Sequence, residues 1–171
     1  MVARTWYAVK RNLDVLDNEI NCLWGVEMAK LVSFVYCMNA IKEPEPSNAL
    51  NAINVVSSLR PDYIPGGFSF SVVFSILDIK LDSPSNAIRV RFLNKENDEV
   101  VADSGTILLP AQSLSEEDQL LPQQYRGFNM SLDFRNIIFK QSGLYATEIV
   151  FNGESLGTQD IFVQGKNNND A

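Results

Sequence analysis

The sequence predicts an all-β fold, a single antiparallel β-sandwich of about seven or eight strands, and three observations predict it. From residue 30 onward the apolar residues recur with a period of two rather than 3.6. Proline, glycine and asparagine clusters cut these alternating runs into strand-sized pieces, as at Lys42-Glu-Pro-Glu-Pro-Ser-Asn48 and Asn152-Gly153. The chain has 171 residues, 46% of them hydrophobic, which supplies one core of ordinary size.

Residues 1–27 stand apart. Trp6, Val9, Leu13, Leu16, Ile20 and Leu23 recur at alternating spacings of three and four, with Arg11, Asp14, Asp17 and Glu19 off the stripe. That is the pattern of an amphipathic helix, suited to packing on the sandwich or to a short coiled coil. A second reading is that translation starts at Met28, since Gly25-Val26-Glu27 is encodable by a purine-rich ribosome-binding sequence just before that methionine. Neither Met1–Arg11 nor any later segment reads as a signal peptide or as the ~18 apolar residues of a membrane span, so a soluble, cytoplasmic protein is expected.

The strands follow in order within an expected domain of residues 28–165. Leu31–Met38 and Ala49–Leu59 are the first two, on either side of the proline-rich break. Phe68, Phe70, Val72, Phe74 and Ile76 share one face, opposite Ser69, Ser71 and Ser75. Ile88, Val90 and Phe92 repeat the logic with Arg89 and Arg91 outward, and a short piece is expected at Glu99–Ala102. Asp103–Arg126 reads as a long crossover between sheets with one helical turn at Ser113–Gln119. Phe128–Phe134 alternates again with Asn129, Ser131 and Asp133 outward. Tyr145, Thr147, Ile149 and Phe151 form an inward row that runs into Asn152-Gly153, a two-residue hairpin turn at which both positions tolerate positive φ. Leu156–Val163 returns, and residues 166–171 are expected to be a disordered tail.

One spacing narrows the fold class to an immunoglobulin-like sandwich. Ser142-Gly143-Leu144-Tyr145 before an alternating strand is the pattern of a tyrosine corner, in which the phenol bonds back to the backbone. Immunoglobulin domains place a cysteine two residues after that tyrosine; here Thr147 stands there. Tyr145 as a plain inward aromatic is the simpler alternative. The cysteines, Cys22 and Cys37, belong to no C-x-x-C motif, and Cys37 lies in an apolar run suited to a buried free thiol.

Chemistry is bounded mainly by exclusion. There is no histidine, which removes Ser-His-Asp and Cys-His catalysis and imidazole metal sites. Fourteen basic against 21 acidic residues give a net charge of -7, opposite to the basic stripe of a nucleic-acid binder. Residues 1–27 hold three basic and four acidic side chains, so the acidity belongs to the sandwich. Glu116-Glu117-Asp118 reads as a solvated loop rather than a cation site. Asp78, Asp82, Asp98 and Asp103 flank strands but lack the spacing of a calcium loop, which supplies about six to eight oxygens. Gly66-Gly67 is a turn and not a phosphate loop. No catalytic residue, metal or cofactor is expected. The binding candidates are Tyr63 and Ile64, on the loop Arg60–Phe68, where an inward-tucked loop anchor is an equal reading, and Arg89 and Arg91 on an outward strand face, where cross-strand pairing with acids is the simpler reading.

Met28–Tyr36, Leu50-Asn-Ala-Ile-Asn-Val-Val-Ser57, Pro65–Phe74, Gly143-Leu-Tyr145 and Val150–Gly157 come in an order that resembles a family of small bacterial cytosolic β-sandwich proteins classed as a domain of unknown function. The resemblance covers about residues 28–165. It implies an immunoglobulin-like fold and bacterial origin, and brings no catalytic residues. A non-enzymatic module that works by protein–protein contact, with strand addition at an open edge, is the first expectation, and a homo-oligomer is compatible with it. The second is a small-ligand or carbohydrate-binding sandwich with Tyr63, Tyr125 and Phe128 as platforms. An acidic inhibitor or immunity protein steered to a basic enzyme is the third, and a hydrolase using carboxylates alone the last. Neither nucleic acid nor membrane is expected as a partner.

Overall fold

The computed structural model describes residues 29–44 and 49–167. The expected helix in residues 1–27 and the start at Met28 lie outside them. The described strands are β1 (Lys30–Lys42), β2 (Leu50–Val56), β3 (Ser58–Leu59), β4 (Tyr63–Ile64), β5 (Gly66–Leu77), β6 (Ala87–Asn94), β7 (Glu99–Asp103) and β8 (Ile107–Leu108). After a one-turn helix, α1 (Glu116–Leu120), and a 3-10 turn come β9 (Gly127–Phe139), β10 (Gly143–Phe151), β11 (Glu154–Val163) and β12 (Lys166–Asn167). One sheet has the order β2-β1-β5-β9 and the other β3-β11-β10-β6-β7, with β8 beside β6.

This is an immunoglobulin-like arrangement. Strands β5 and β9 pair in one sheet while β6, β10 and β11 are neighbours in the other, the partition that immunoglobulin sandwiches use for B and E against C, F and G. All long ladders are antiparallel; the two-residue ladders of β3 on β11 and β12 on β4 are parallel.

The alternating runs face as expected. Phe70, Val72, Phe74 and Ile76 of β5 and Ile88, Val90 and Phe92 of β6 are fully buried, as is the row Tyr145, Thr147, Ile149 and Phe151 of β10. Phe92 stacks on Tyr145 at 5.5 Å between ring centroids and packs against Phe70 at 5.1 Å, so one aromatic layer joins the sheets. On the outer face of the first sheet, Ser33 bonds Ser75 at 2.8 Å and Ser75 bonds Asn129 at 2.6 Å, which satisfies the polar half of the alternation.

The tyrosine corner is present: Tyr145 Oη donates to the Gln141 carbonyl at 2.9 Å. Gly143 precedes it at φ 154, and a Cβ there would lie 2.6 Å from Glu96 Oε1. Asn152 and Gly153 have φ of 50° and 89°, the two positive values of a tight hairpin turn. The Asn152 carboxamide does more than tolerate that geometry, since its Oδ1 accepts the Ala87 amide at 2.8 Å and ties the turn to the start of β6.

At the cysteine position of immunoglobulin domains, Thr147 is fully buried and meets Tyr36 from the opposite sheet. The Tyr36 hydroxyl donates to the Gln159 carbonyl at 2.6 Å, receives the Thr147 amide at 3.1 Å and is hydrogen-bonded with the Thr147 hydroxyl at 2.9 Å. An inter-sheet hydrogen-bond hub thus stands at the β10 end of the immunoglobulin disulfide, with its other end on β1 rather than on β5. Cys37, next in sequence, is a buried free thiol.

Four expectations need correction, the first being that Gly66-Gly67 is a turn: both residues open β5 and pair with Phe139 and Ile138. Ala49–Leu59 is not one strand: the chain bends at Ser57, leaves β2 in the first sheet and places β3 in the second, where Leu59 is fully buried. A strand-like run in which Ser57 and Ser58 are the only break near the bend carries no clear mark of a change of sheet. Ile107–Leu108, inside the expected crossover, pairs with β6. Lys166 and Asn167, expected as the start of a disordered tail, pair with Tyr63 and Ile64; residues 168–171 lie outside the described residues.

Replacing Tyr36 with Phe removes one hydroxyl and strands the buried amide and hydroxyl of Thr147 and the part-buried Gln159 carbonyl, so we expect a loss of about 2 kcal/mol in urea unfolding, or roughly 5 °C in Tm. Burial pushes the phenols of Tyr36 and Tyr145 above the ordinary value. Below about pH 10 both phenols are protonated in folded and unfolded chains, and their contribution is fully present. Above that the unfolded phenols ionise while the native ones resist, so stability falls as pH rises. The fall between pH 9 and 11 will be shallower in the Tyr36→Phe variant.

Candidate functional site

The sequence-derived candidates separate in space. Tyr63 lies on β4 and is 54% exposed, whereas Ile64, its neighbour, is buried in the core at 4%. Ile64 is therefore a structural anchor: strand alternation puts one of two adjacent side chains inward, and the larger aliphatic benefits more from burial.

Arg89 and Arg91 do point outward from β6, into an open groove of about 320 Å³ that also involves Thr106, Glu148, Val150 and Ser155. Both guanidinium groups are already engaged. Arg89 grips Asp103 from β7 through Nε, 2.9 Å from Oδ1, and through its terminal nitrogen, while Arg91 pairs with Glu148 of β10, directly opposite in register. These are the cross-strand acid partners that stabilise a sheet face. The Arg91 Nε is buried without a partner, and the groove as a whole is charge-balanced.

The platform trio does not assemble. Phe128 faces the core against Phe151 at 6.4 Å between ring centroids. Tyr63 precedes the first residue of β5, and Tyr125 precedes Gly127, which pairs with the last. Twelve residues of strand put the two tyrosines roughly 35–40 Å apart. The acids also disperse: Asp78 and Asp82 precede β6, Asp98 follows it, and Asp103 is held by Arg89. Among the described residues no group of three or more Asp, Glu, Cys or His side chains could hold a metal ion.

Two surfaces escaped the sequence reading. The first is the edge of the first sheet at β2, which among the described residues pairs only with β1. Its outward row holds two exposed aliphatics, Val55 at 61% and Ile53 at 37%, beside the exposed Asn51, and Ile41 of β1 is exposed opposite Asn51. No residue of Leu50–Val56 is charged. The opposite edge, β9, carries Asp133, Arg135 and a bulge, and β7 carries Glu99 and Asp103, devices that discourage strand pairing. The second surface is the segment around Leu120 and Tyr125. The one available signal was apolar residues on both faces of a strand, and adjacent leucines in a polar connection.

The protein is thus a β-sandwich of immunoglobulin-like class whose conspicuous features are surfaces. Residues 33–164 match a family of unknown function, DUF6941, and the chain belongs to that family. No curated protein matches it. Three solved structures show distant similarity. An immunoglobulin-like protein from Pseudomonas aeruginosa aligns at 8% identity and TM-score 0.41, covering 80% of this chain and 97% of its own. The Pseudomonas fluorescens alkylpurine DNA glycosylase AlkC, solved bound to DNA containing an abasic site analogue, aligns at 15% identity and TM-score 0.37. That alignment covers 63% of this chain and only 29% of AlkC. The PmoD soluble domain from Methylocystis aligns at 13% identity and TM-score 0.27, covering 81% and 93%. The fold assignment rests on the strand order above, not on these scores.

Hydrogen bonding from Arg89 holds the Asp103 carboxyl below the usual carboxylate range. The pair therefore persists at neutral pH and is lost as pH falls through that lowered value. In an NMR titration, Arg89→Gln should return Asp103 toward the ordinary aspartate range; an unchanged midpoint would refute the assignment.

Proposed function

We propose that the protein is a non-enzymatic interaction module that accepts an extended segment of a partner protein as an added strand on β2. The observation that carries the reading is the unguarded edge of β2, uncharged over Leu50–Val56, with the exposed aliphatics Ile53 and Val55 in its outward row and Ile41 beside it. Main-chain groups on such an edge supply affinity that is largely independent of sequence, and the alternate side chains supply selection. An arriving strand with apolar residues toward the outer face would extend that row across the new ladder. No helix among the described residues is long and apolar enough to cross a membrane. The buried free thiol of Cys37 suits the reducing cytoplasm of a bacterial cell, which is where this reading places the protein.

An acidic protein steered to a basic partner is a second reading, favoured by the charge of -7.

The test uses full-length protein in its native host. On partner binding, amides of residues 50–56 should gain protection from hydrogen exchange. Val55→Lys should weaken binding about tenfold or more without lowering Tm, because that side chain is mostly solvated. Unaltered binding by Val55→Lys, with no added protection in β2, would reject strand addition.

A further inference from the structure

The crossover between β8 and β9 presents a second surface. Leu120 is 85% exposed, the largest value of any described hydrophobic residue, and Tyr125 and Leu121 are exposed at 57% and 43%. Single exposed apolar side chains are ordinary; three within six residues of one connection are not.

What separates this segment from a slack loop is how its backbone is held. Arg126 Nε donates to the Leu121 carbonyl at 2.8 Å and its Nη2 to the Gln119 carbonyl at 3.0 Å, taking groups left without helical partners at the end of α1. The Gln123 carboxamide reaches across to the Ile79 carbonyl at 2.8 Å and fastens the segment to the sandwich. The Gln119 amide bonds the Ser115 carbonyl at 3.0 Å, and the Tyr125 amide bonds the Pro122 carbonyl at 2.9 Å. Loops are commonly pinned by burying their leucines while polar groups meet solvent. Here glutamine and arginine do the pinning, and the leucines face out. A tip ordered before contact loses little conformational freedom on binding, which is the property of an interface anchor.

Charge selects the partner. In sequence the connection from residue 104 to 126 has Glu116, Glu117 and Asp118 just ahead of Leu120, and its one cation, Arg126, is spent on carbonyls. We propose that Leu120, Leu121 and Tyr125 form a preorganised anchor that enters an apolar pocket, rimmed by Lys and Arg, on a basic partner protein. Apolar insertion sets the lifetime of the complex, and the acidic flank raises the association rate. The anchor lies near the Leu77–Gly127 end of the first sheet, away from β2, so it goes beyond strand addition and does not depend on it.

The test places a photo-crosslinking benzophenone residue at position 120 or 125 of the full chain in its native host, with position 162 on β11 as an exposed control. One protein crosslinked from 120 and 125 but not from 162 is then purified and its affinity measured. Support is a loss of about tenfold or more on Leu120→Ser with Leu121→Ser and an association rate that falls with added salt, whatever Val55→Lys does to strand addition on β2. The double variant should melt close to wild type, because Leu120 is mostly solvated and Leu121 is exposed over 43% of its surface. The proposal is overturned by crosslinking no greater than from position 162, by wild-type affinity of the double variant, or by a salt-insensitive association rate. Anion-rich lipid vesicles that bind the protein through these leucines would also overturn it, in favour of a membrane surface.

Discussion

The hydroxyl of Tyr36 is the interaction on which the sandwich depends. A two-sheet fold must hold its layers in one relative position, and apolar contact alone is weakly directional. Immunoglobulin domains fix that position with a disulfide between sheets. In this chain one phenol from β1 satisfies the amide and hydroxyl of Thr147 on β10 and the carbonyl of Gln159 on β11. The bonds are directional and buried or part-buried, so sliding one sheet over the other would leave polar groups unpaired in a dry interior. The aromatic layer of Phe70, Phe92 and Tyr145 supplies much of the attraction; Tyr36 supplies the register.

With the core closed in this way, the outer faces diverge. The outer face of the six-stranded sheet spends its charges internally, Arg89 on Asp103 and Arg91 on Glu148. On the first sheet the serine and asparagine ladder is likewise self-satisfied where β1, β5 and β9 adjoin. Exposed apolar side chains are scattered over several strands, and those of β2 and of the end of the crossover lie at the margins of the sheets. In a chain of this acidity, apolar margins are surfaces that charge does not protect, which is why interaction is the function that both proposals describe.

Much of the fold was legible because its strands are half-buried. Phe70 to Ile76 and Tyr145 to Phe151 declare their inward faces by alternation, and Asn152-Gly153 declares its turn by backbone chemistry. The candidate site was less legible. Arg89 and Arg91 were read as outward, and they are, but only the register of β6 against β7 and β10 shows their partners. For Tyr63 and Ile64 the sequence leaves an exposed binding loop and an inward anchor equally open, and the structure divides the two, Tyr63 outward and Ile64 in the core. Leu50–Val56 reads as an ordinary strand, and nothing local states that it ends a sheet.

The sequence by itself determined the all-β class, the inward rows, the hairpin turn, the tyrosine corner and the acidic balance. Each of these is written in residues a few positions apart, within reach of local backbone and burial physics. Only the tertiary structure decided that Ser57 is a change of sheet, that Tyr36 joins β1 to β10, that β2 is an open edge and that Leu120 is solvated. Those properties depend on which strands become neighbours, and strand neighbours are set by contacts between residues as far apart as Tyr36 and Gln159.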